Sequence, residues 1–396
     1  MRRRTLMAAA AGAALCTAVA VAAAPPGNAT PGSGNRSFTY AVYGDAPYGT
    51  TPIDTSETQA TPAFIAGVNA DPDVSTVVHV GDIHSGKQYC TQAYDEQIAG
   101  LWAGFADPMV YTPGDNEWTD CHKLAEGGGT YNPVTGQVDY VKDGQGNLVD
   151  YAGGDPIANL DLVRSIFFPQ HGATLGSGTL HTLSQATAYD PAHPEDAQYV
   201  ENVIWKQKGF VFVTLNIPGG SNNDTDPWYG APSMSAAQQL EVQQRTGADL
   251  RWLARAFDIA GAEDAQGVVV VEQADMWDLD GKAATHLAEY EPIVSSLAQH
   301  TTDLGKPVLL FNGDSHTYRS DNPLKAGAPC TGDDGVCSYD AWQSHPSYDV
   351  ANFHRVTVHG STVPLEYLKL TVTPGGHAPT TDTSFGPFTW SRVMEH

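Results

Sequence analysis

The chain has 396 residues and carries 45 acidic side chains against 20 lysines and arginines, a formal net charge of −25. Such an excess of negative charge repels nucleic-acid backbones and anionic membrane surfaces, so neither is an expected partner. It also repels anionic substrates at long range, so any phosphate chemistry here needs cations gathered locally.

At the start of the chain, Arg2-Arg3-Arg4 precede an Ala/Leu/Val run from Leu6 to Ala24 that contains small-residue steps such as Ala20-Val21-Ala22. Charge, then an apolar run, then small residues is the order of an export signal, which assigns residues 1–24 to a signal peptide and the mature chain to a secreted or periplasmic location. Arg3-Arg4-Thr5-Leu6-Met7 also fits a twin-arginine start, so Sec and Tat export both stay open. Leu15 before Cys16 suits a lipid-anchored cysteine poorly, and no later stretch is long and apolar enough to span a bilayer. Residues 25–37 form a Pro/Gly/Ser linker.

From 38 to 396 one domain is expected. Short apolar, β-branched runs predict strands at 38–43, 76–80, 109–112, 210–215, 267–272, 307–312, 355–358 and 365–373. Helical spacing of apolar residues falls between them, at about 59–69, 92–105, 156–167, 235–260 and 284–300. Strand–helix alternation predicts an α/β core with parallel pairing. A Gly-rich stretch at 126–155, with a hairpin-like NPVTGQVDY, reads as a surface insertion, and 320–350 as a second, irregular one. The oligomeric state leaves no signal in the sequence.

Past the signal four cysteines remain, Cys90, Cys121, Cys330 and Cys337, an even number that allows three disulfide pairings in an exported chain. The compact Thr-Gly-Asp-Asp-Gly between Cys330 and Cys337 favours joining those two, which leaves Cys90 with Cys121. No C-x-x-C pair is present to suggest a zinc cluster instead.

Four Gly-Asp steps close apolar strands: Gly44-Asp45, Gly81-Asp82, Gly114-Asp115 and Gly313-Asp314, the last running on to His316. A single such step is a turn. Several at strand ends suggest loops converging at one sheet edge, where α/β folds place their ligands. Carboxylates crowded there repel one another unless a cation sits among them, so a metal site is expected.

The order of these blocks resembles the calcineurin-like metallophosphoesterases, which include the purple acid phosphatases. Gly44-Asp45-Ala46-Pro47 stands at the first family block, Gly81-Asp82-Ile83-His84 at the second, and Gly114-Asp115-Asn116-Glu117 at the third. Gln273, after Gly267–Glu272, stands at the lone-histidine position, and Gly313-Asp314-Ser315-His316-Thr317-Tyr318 at the last. The resemblance covers about 38–320. It implies a four-layer α-β-β-α sandwich with mixed sheets and hydrolysis of phosphate esters by metal-activated water.

The departures from the family pattern are specific. Pro47 stands where a histidine is usual, Asp115 for an asparagine ligand, Asn116 for the phosphate-contacting histidine, and Gln273 and Asp314 for two histidine ligands. The implied metal set is therefore Asp45, Asp82, Asp115, Gln273, Asp314 and His316. It is rich in oxygen, which favours Mg²⁺, Mn²⁺ or Ca²⁺ over Zn²⁺ or Fe. Four carboxylates formally neutralise two divalent ions, so such a centre pulls less on phosphate than the family's usual positive one. One ion in place of two fits the same residues. Asn116 and Tyr318 are the expected substrate contacts. Asn116 cannot exchange a proton near neutrality; His84, two residues past Asp82, and His122, beside Cys121, are the candidates, and His84, nearer in sequence to a ligand, is the expected acid–base group. The expected substrate is a small or polymeric phosphate ester; the alternative is a weakly active or inactive binding module that holds Ca²⁺ or Mg²⁺.

Overall fold

The computed structural model describes residues 36–279, 282–337, 340–361 and 365–394. The signal peptide and all of the linker except Arg36 and Ser37 lie outside the described residues. Asn35–His396 make up one compact unit.

Two mixed sheets carry the fold. The six-stranded sheet runs in the order Ser384–Phe385, Phe388–Met394, Glu366–Val372, Phe38–Tyr43, Val74–His79, Met109–Tyr111. Its last three strands are parallel, and Phe38–Tyr43 pairs antiparallel with Glu366–Val372. The nine-stranded sheet has a parallel centre, Phe353–Thr357, Val308–Asn312, Gly267–Val271 and Phe210–Thr214, with short antiparallel strands on both flanks. Residues 320–350 extend one of those flanks through Cys330–Gly332 and Gly335–Val336. Residues 126–155 carry the separate hairpin Gly129–Asn132 and Gln137–Tyr140.

Side-chain alternation makes the layers. Tyr40, Val42, Val78 and Val110 of the first sheet pack against Phe212, Val271, Leu309, Phe311 and Val356 of the second in one core. The opposite face of the first sheet, with Ala41, Tyr43 and Val77, meets Phe64, Ile98, Trp102 and Val163 from the helices Ser56–Ala70, Gln92–Trp102 and Pro156–Phe167. The outer face of the second sheet, with Val268, Val270, Val308 and Leu310, meets Trp252, Phe257, Val294 and Leu297 from Ala236–Ala262 and Glu291–Leu304. Helix, sheet, sheet and helix are thus stacked in the four-layer α-β-β-α order. Strands buried on both faces read as continuous apolar runs, the pattern that marks GVVVV and VLLFN.

Local chemistry fixes the helix starts. Asp155 accepts a hydrogen bond from the Ala158 N–H with Pro156 in the first turn, and Ser235 accepts from Gln238. Two disulfides form, Cys90–Cys121 and Cys330–Cys337, the pairings that loop size favours. The first ties the loop after Asp82 to the loop after Asp115. Among the described residues no helix is long and apolar enough to cross a membrane.

Candidate metal centre

The four Gly-Asp loops meet at the carboxyl ends of the parallel strands. Backbone hydrogen bonds lock them together: Asp45 N–H to the Gly81 carbonyl at 2.9 Å, Ala46 N–H to Asp82 at 3.0 Å, and Gly313 N–H to Gln273 at 2.8 Å. Asp45, Asp82, Asp314 and His316 all take left-handed backbone, with φ of 50°, 61°, 71° and 54°. Aspartate adopts this region more readily than most residues, and several such residues at one sheet edge point to a functional constraint. The glycines permit the approach. A Cβ on Gly114 would lie 1.9 Å from Asp82 Oδ1 and 2.6 Å from the Asp82 nitrogen. One on Gly313 would lie 2.2 Å from Asp45 Oδ2.

Asp45, Asp82 and His316 each present a ligand atom within 4.8 Å of the other two. His316 Nε2 is 3.4 Å from Asp45 Oδ1. Asp45 Oδ1 also accepts the Asp314 N–H at 2.9 Å, whereas its Oδ2 is buried with no hydrogen-bond partner among the described residues. Both aspartates are buried, and His316 is 42% exposed on its side chain. Burial first, then repulsion from neighbouring carboxylates, pushes the carboxyls of Asp45 and Asp82 well above the ordinary aspartate range. Asp115 and Asp314 are also raised, mainly by burial.

Around these acids stands a shell of neutral donors. Asp82 Oδ2 accepts from the Tyr48 hydroxyl at 2.7 Å, from Asn116 Nδ2 at 3.1 Å and from Gln273 Nε2 at 3.1 Å. The second Gln273 N–H goes to Asp115 Oδ1 at 2.9 Å, and its Oε1 accepts the Gly219 N–H at 2.5 Å. That turns the Gln273 oxygen to Gly219 and its nitrogen to the acids. Asn116 Nδ2 likewise lies within hydrogen-bond distance of both Asp82 Oδ2 and the Tyr48 hydroxyl. Glu117 Oε1 accepts the backbone N–H of Gly114 at 2.7 Å and of Asp82 at 3.2 Å, holding two of the loops in register.

Two residues expected at the site from the sequence sit apart from this shell. His84 is buried against the Tyr94 ring, its Nδ1 meets the Ser85 carbonyl, and burial lowers its pKa to about 4. The Tyr318 hydroxyl donates to the Asp382 carbonyl and accepts from Trp390 Nε1, both at 2.9 Å.

Three contributors carry no motif. Tyr48 links Asp82, Asn116 and His316, whose Nε2 lies 3.2 Å from its hydroxyl. Lys282 Nζ pairs with Asp314 Oδ2 at 2.5 Å. Gly220, Ser221, Asn222 and Asn223 form a left-handed turn, φ 60°, 62°, 57° and 61°, beside Asp115. Only the run of small and amide residues in GGSNN hints at such a turn.

A cavity of about 450 Å³ opens next to Tyr48 and His316, lined also by Thr50, Ser56, Glu57, Ser85 and Lys87. Burial raises the Glu57 carboxyl to about 7, although it accepts the Tyr48 N–H at 2.6 Å. A raised acid stabilises the fold while protonated, and that contribution is lost as pH rises through about 7. Glu57→Gln is therefore expected to flatten the fall in melting temperature between about pH 4.5 and 7 with cation present. Parallel profiles for the two proteins would contradict this.

No family model matches the chain, and no curated protein matches its sequence. The purple acid phosphatase PPD1 from yellow lupin (Lupinus luteus) seeds is a similar solved structure, with a TM-score of 0.39 and 12% identity over 85% of this chain. The match covers 49% of that protein, so this chain spans about half the length of its neighbour.

Proposed function

We propose that this protein is an exported, divalent-metal-dependent hydrolase of phosphoric esters. The observation that carries the reading is the set Asp45, Asp82 and His316, with ligand atoms within 4.8 Å of one another at the edge of a cavity large enough for a small ester. Two carboxylates and an imidazole fit a hard divalent ion, and the orphaned Asp45 Oδ2 is a buried acceptor that a cation would satisfy. When bound, such an ion supplies Lewis acidity toward a phosphoryl oxygen and lowers the pKa of water.

The chain's own groups do the rest. Tyr48 and Asn116 orient Asp82, whose Oδ1 accepts the Asn116 N–H at 3.2 Å. Asn116 Nδ2 is engaged by Asp82 and Tyr48 within the site, so in this reading it is a positioning residue. Lys87, exposed at the cavity wall, offers a positive charge to an arriving anion that the rest of the chain repels. Glu57 lines the same cavity and is the group there poised to exchange a proton near neutrality.

The test is turnover of mono- and diester model substrates by the mature protein with Mg²⁺, Mn²⁺, Ca²⁺ and Zn²⁺ in turn. Cation-dependent hydrolysis that disappears in the Asp82→Ala, His316→Ala double variant is the expected result. Hydrolysis that survives the double substitution overturns the mechanism. A melting temperature that rises with Ca²⁺ while no metal gives turnover would establish the binding-module alternative instead.

A further inference from the structure

We infer that Lys282 takes the place of a second divalent ion, so that the centre holds one metal per chain. The inference rests on the metal-site reading above and specifies how many ions that site takes.

Asp115 and Asp314 border one small space. A Cβ on Gly219 would lie 2.6 Å from Asp115 Oδ2 and 2.8 Å from Asp314 Oδ1. Two ionised carboxylates so placed need a counter-charge. Among the described residues, the set that gathers three ligand atoms within 4.8 Å is Asp45, Asp82 and His316, and neither Asp115 nor Asp314 belongs to it. Their counter-charge is already present in the chain. Lys282 Nζ sits 2.5 Å from Asp314 Oδ2, its side chain is three-quarters buried, and its ammonium also attracts Asp115.

One oxygen of each acid is held by donors that a cation would have to displace. Asp314 Oδ2 accepts the Asp275 N–H at 3.2 Å as well as Lys282. Asp115 Oδ1 accepts from Gln273, whose oxygen is turned away to Gly219. A divalent ion entering here would meet a fixed ammonium and an amide N–H, both repulsive to it. On the other side, Asp45 Oδ2 is buried and has no donor among the described residues. One half of the acidic cluster is thus served by the chain's own cation and the other half is left open to a metal.

An ammonium cannot accept a ligand lone pair, so it neutralises charge without activating water. Lys282 is therefore a positioning residue that holds Asp314 and Asp115.

The experiment counts manganese. Wild-type, Lys282→Ala and Lys282→Arg proteins are gel-filtered in buffer of fixed Mn²⁺ concentration and analysed for metal per chain, as the excess over the buffer level in the protein fractions, and for melting temperature. The wild type and the charge-preserving Lys282→Arg are expected to hold one equivalent, and Lys282→Ala to take up a second with a further rise in melting temperature at high Mn²⁺. Two equivalents in the wild type, or a folded Lys282→Ala that stays at one, would overturn the inference and leave the site itself standing. No bound metal in the wild type would overturn the metal reading as a whole. If Lys282→Ala does not fold, Lys282→Gln serves in its place, and the wild-type count remains decisive.

Discussion

Exchanging Asp45 for asparagine is expected to raise the melting temperature of chelator-treated protein by several degrees while abolishing its response to divalent cations. The carboxyl of Asp45 is fully buried, and its pKa is raised first by that burial and then by Asp314, Asp115 and Glu117. A raised acid contributes stability while protonated and loses it as pH climbs through its folded-state pKa. Metal-free wild type should therefore melt at progressively lower temperature as pH rises above the ordinary aspartate range, and the variant should show a shallower slope. Asparagine keeps an oxygen for the Asp314 N–H, so the substitution removes the charge without breaking that bond. With saturating cation the order reverses, because only the wild type offers a full ligand set. On the proposed function, phosphoesterase turnover should fall about a thousandfold, equivalent to about 4 kcal/mol of lost transition-state stabilisation. Differential scanning across pH, with and without chelator, reads the crossing directly. A variant destabilised under both conditions would mean that Asp45 is merely structural.

The largest loss of stability is expected at Arg355. This side chain is fully buried in the strand Phe353–Thr357 and grips Asp321 with two parallel hydrogen bonds of 2.8 Å. It also pairs with Asp275 and lies over the Trp277 ring at 5.2 Å. Burial alone would raise Asp275, but Arg355 and Arg319 together hold its carboxyl below the ordinary value. Arg355→Met leaves two carboxylates buried with their main counter-charge gone, which costs about 3–5 kcal/mol. Because Asp275 is lowered in the fold, its share of wild-type stability fades as pH falls, and the gap between variant and wild type should narrow in acid. The damage should reach the metal centre, since the Asp275 N–H donates to Asp314. Urea unfolding measures the loss, and a change below about 1 kcal/mol would contradict this reading of the network.

Much of this architecture is written in short apolar runs. GVVVV and VLLFN are buried on both faces, so no alternation obscures them, and the sequence places them within a residue or two. Phe388–Met394 leaves a fainter trace. Its exposed Thr389, Ser391 and Arg392 break the run, and its place in the sheet comes from pairing with Glu366–Val372. The same contrast holds at the site. Asp45, Asp82 and Asp314 announce themselves because each follows a glycine at a strand end. Tyr48 reaches Asp82 across 34 residues and Lys282 reaches Asp314 across 32, with no local pattern to mark either. The strand GVVVV leads through Glu272 to Gln273, but residue type alone does not say which end of an amide faces the acids. That depends on the Gly219 N–H, brought close by a strained turn.

The most direct measurement is an anomalous-difference map from a crystal grown or soaked in Mn²⁺. A peak within coordination distance of Asp45, Asp82 and His316 together is the expected result. A map with no peak there, or with manganese bound only at surface carboxylates, would contradict the metal centre.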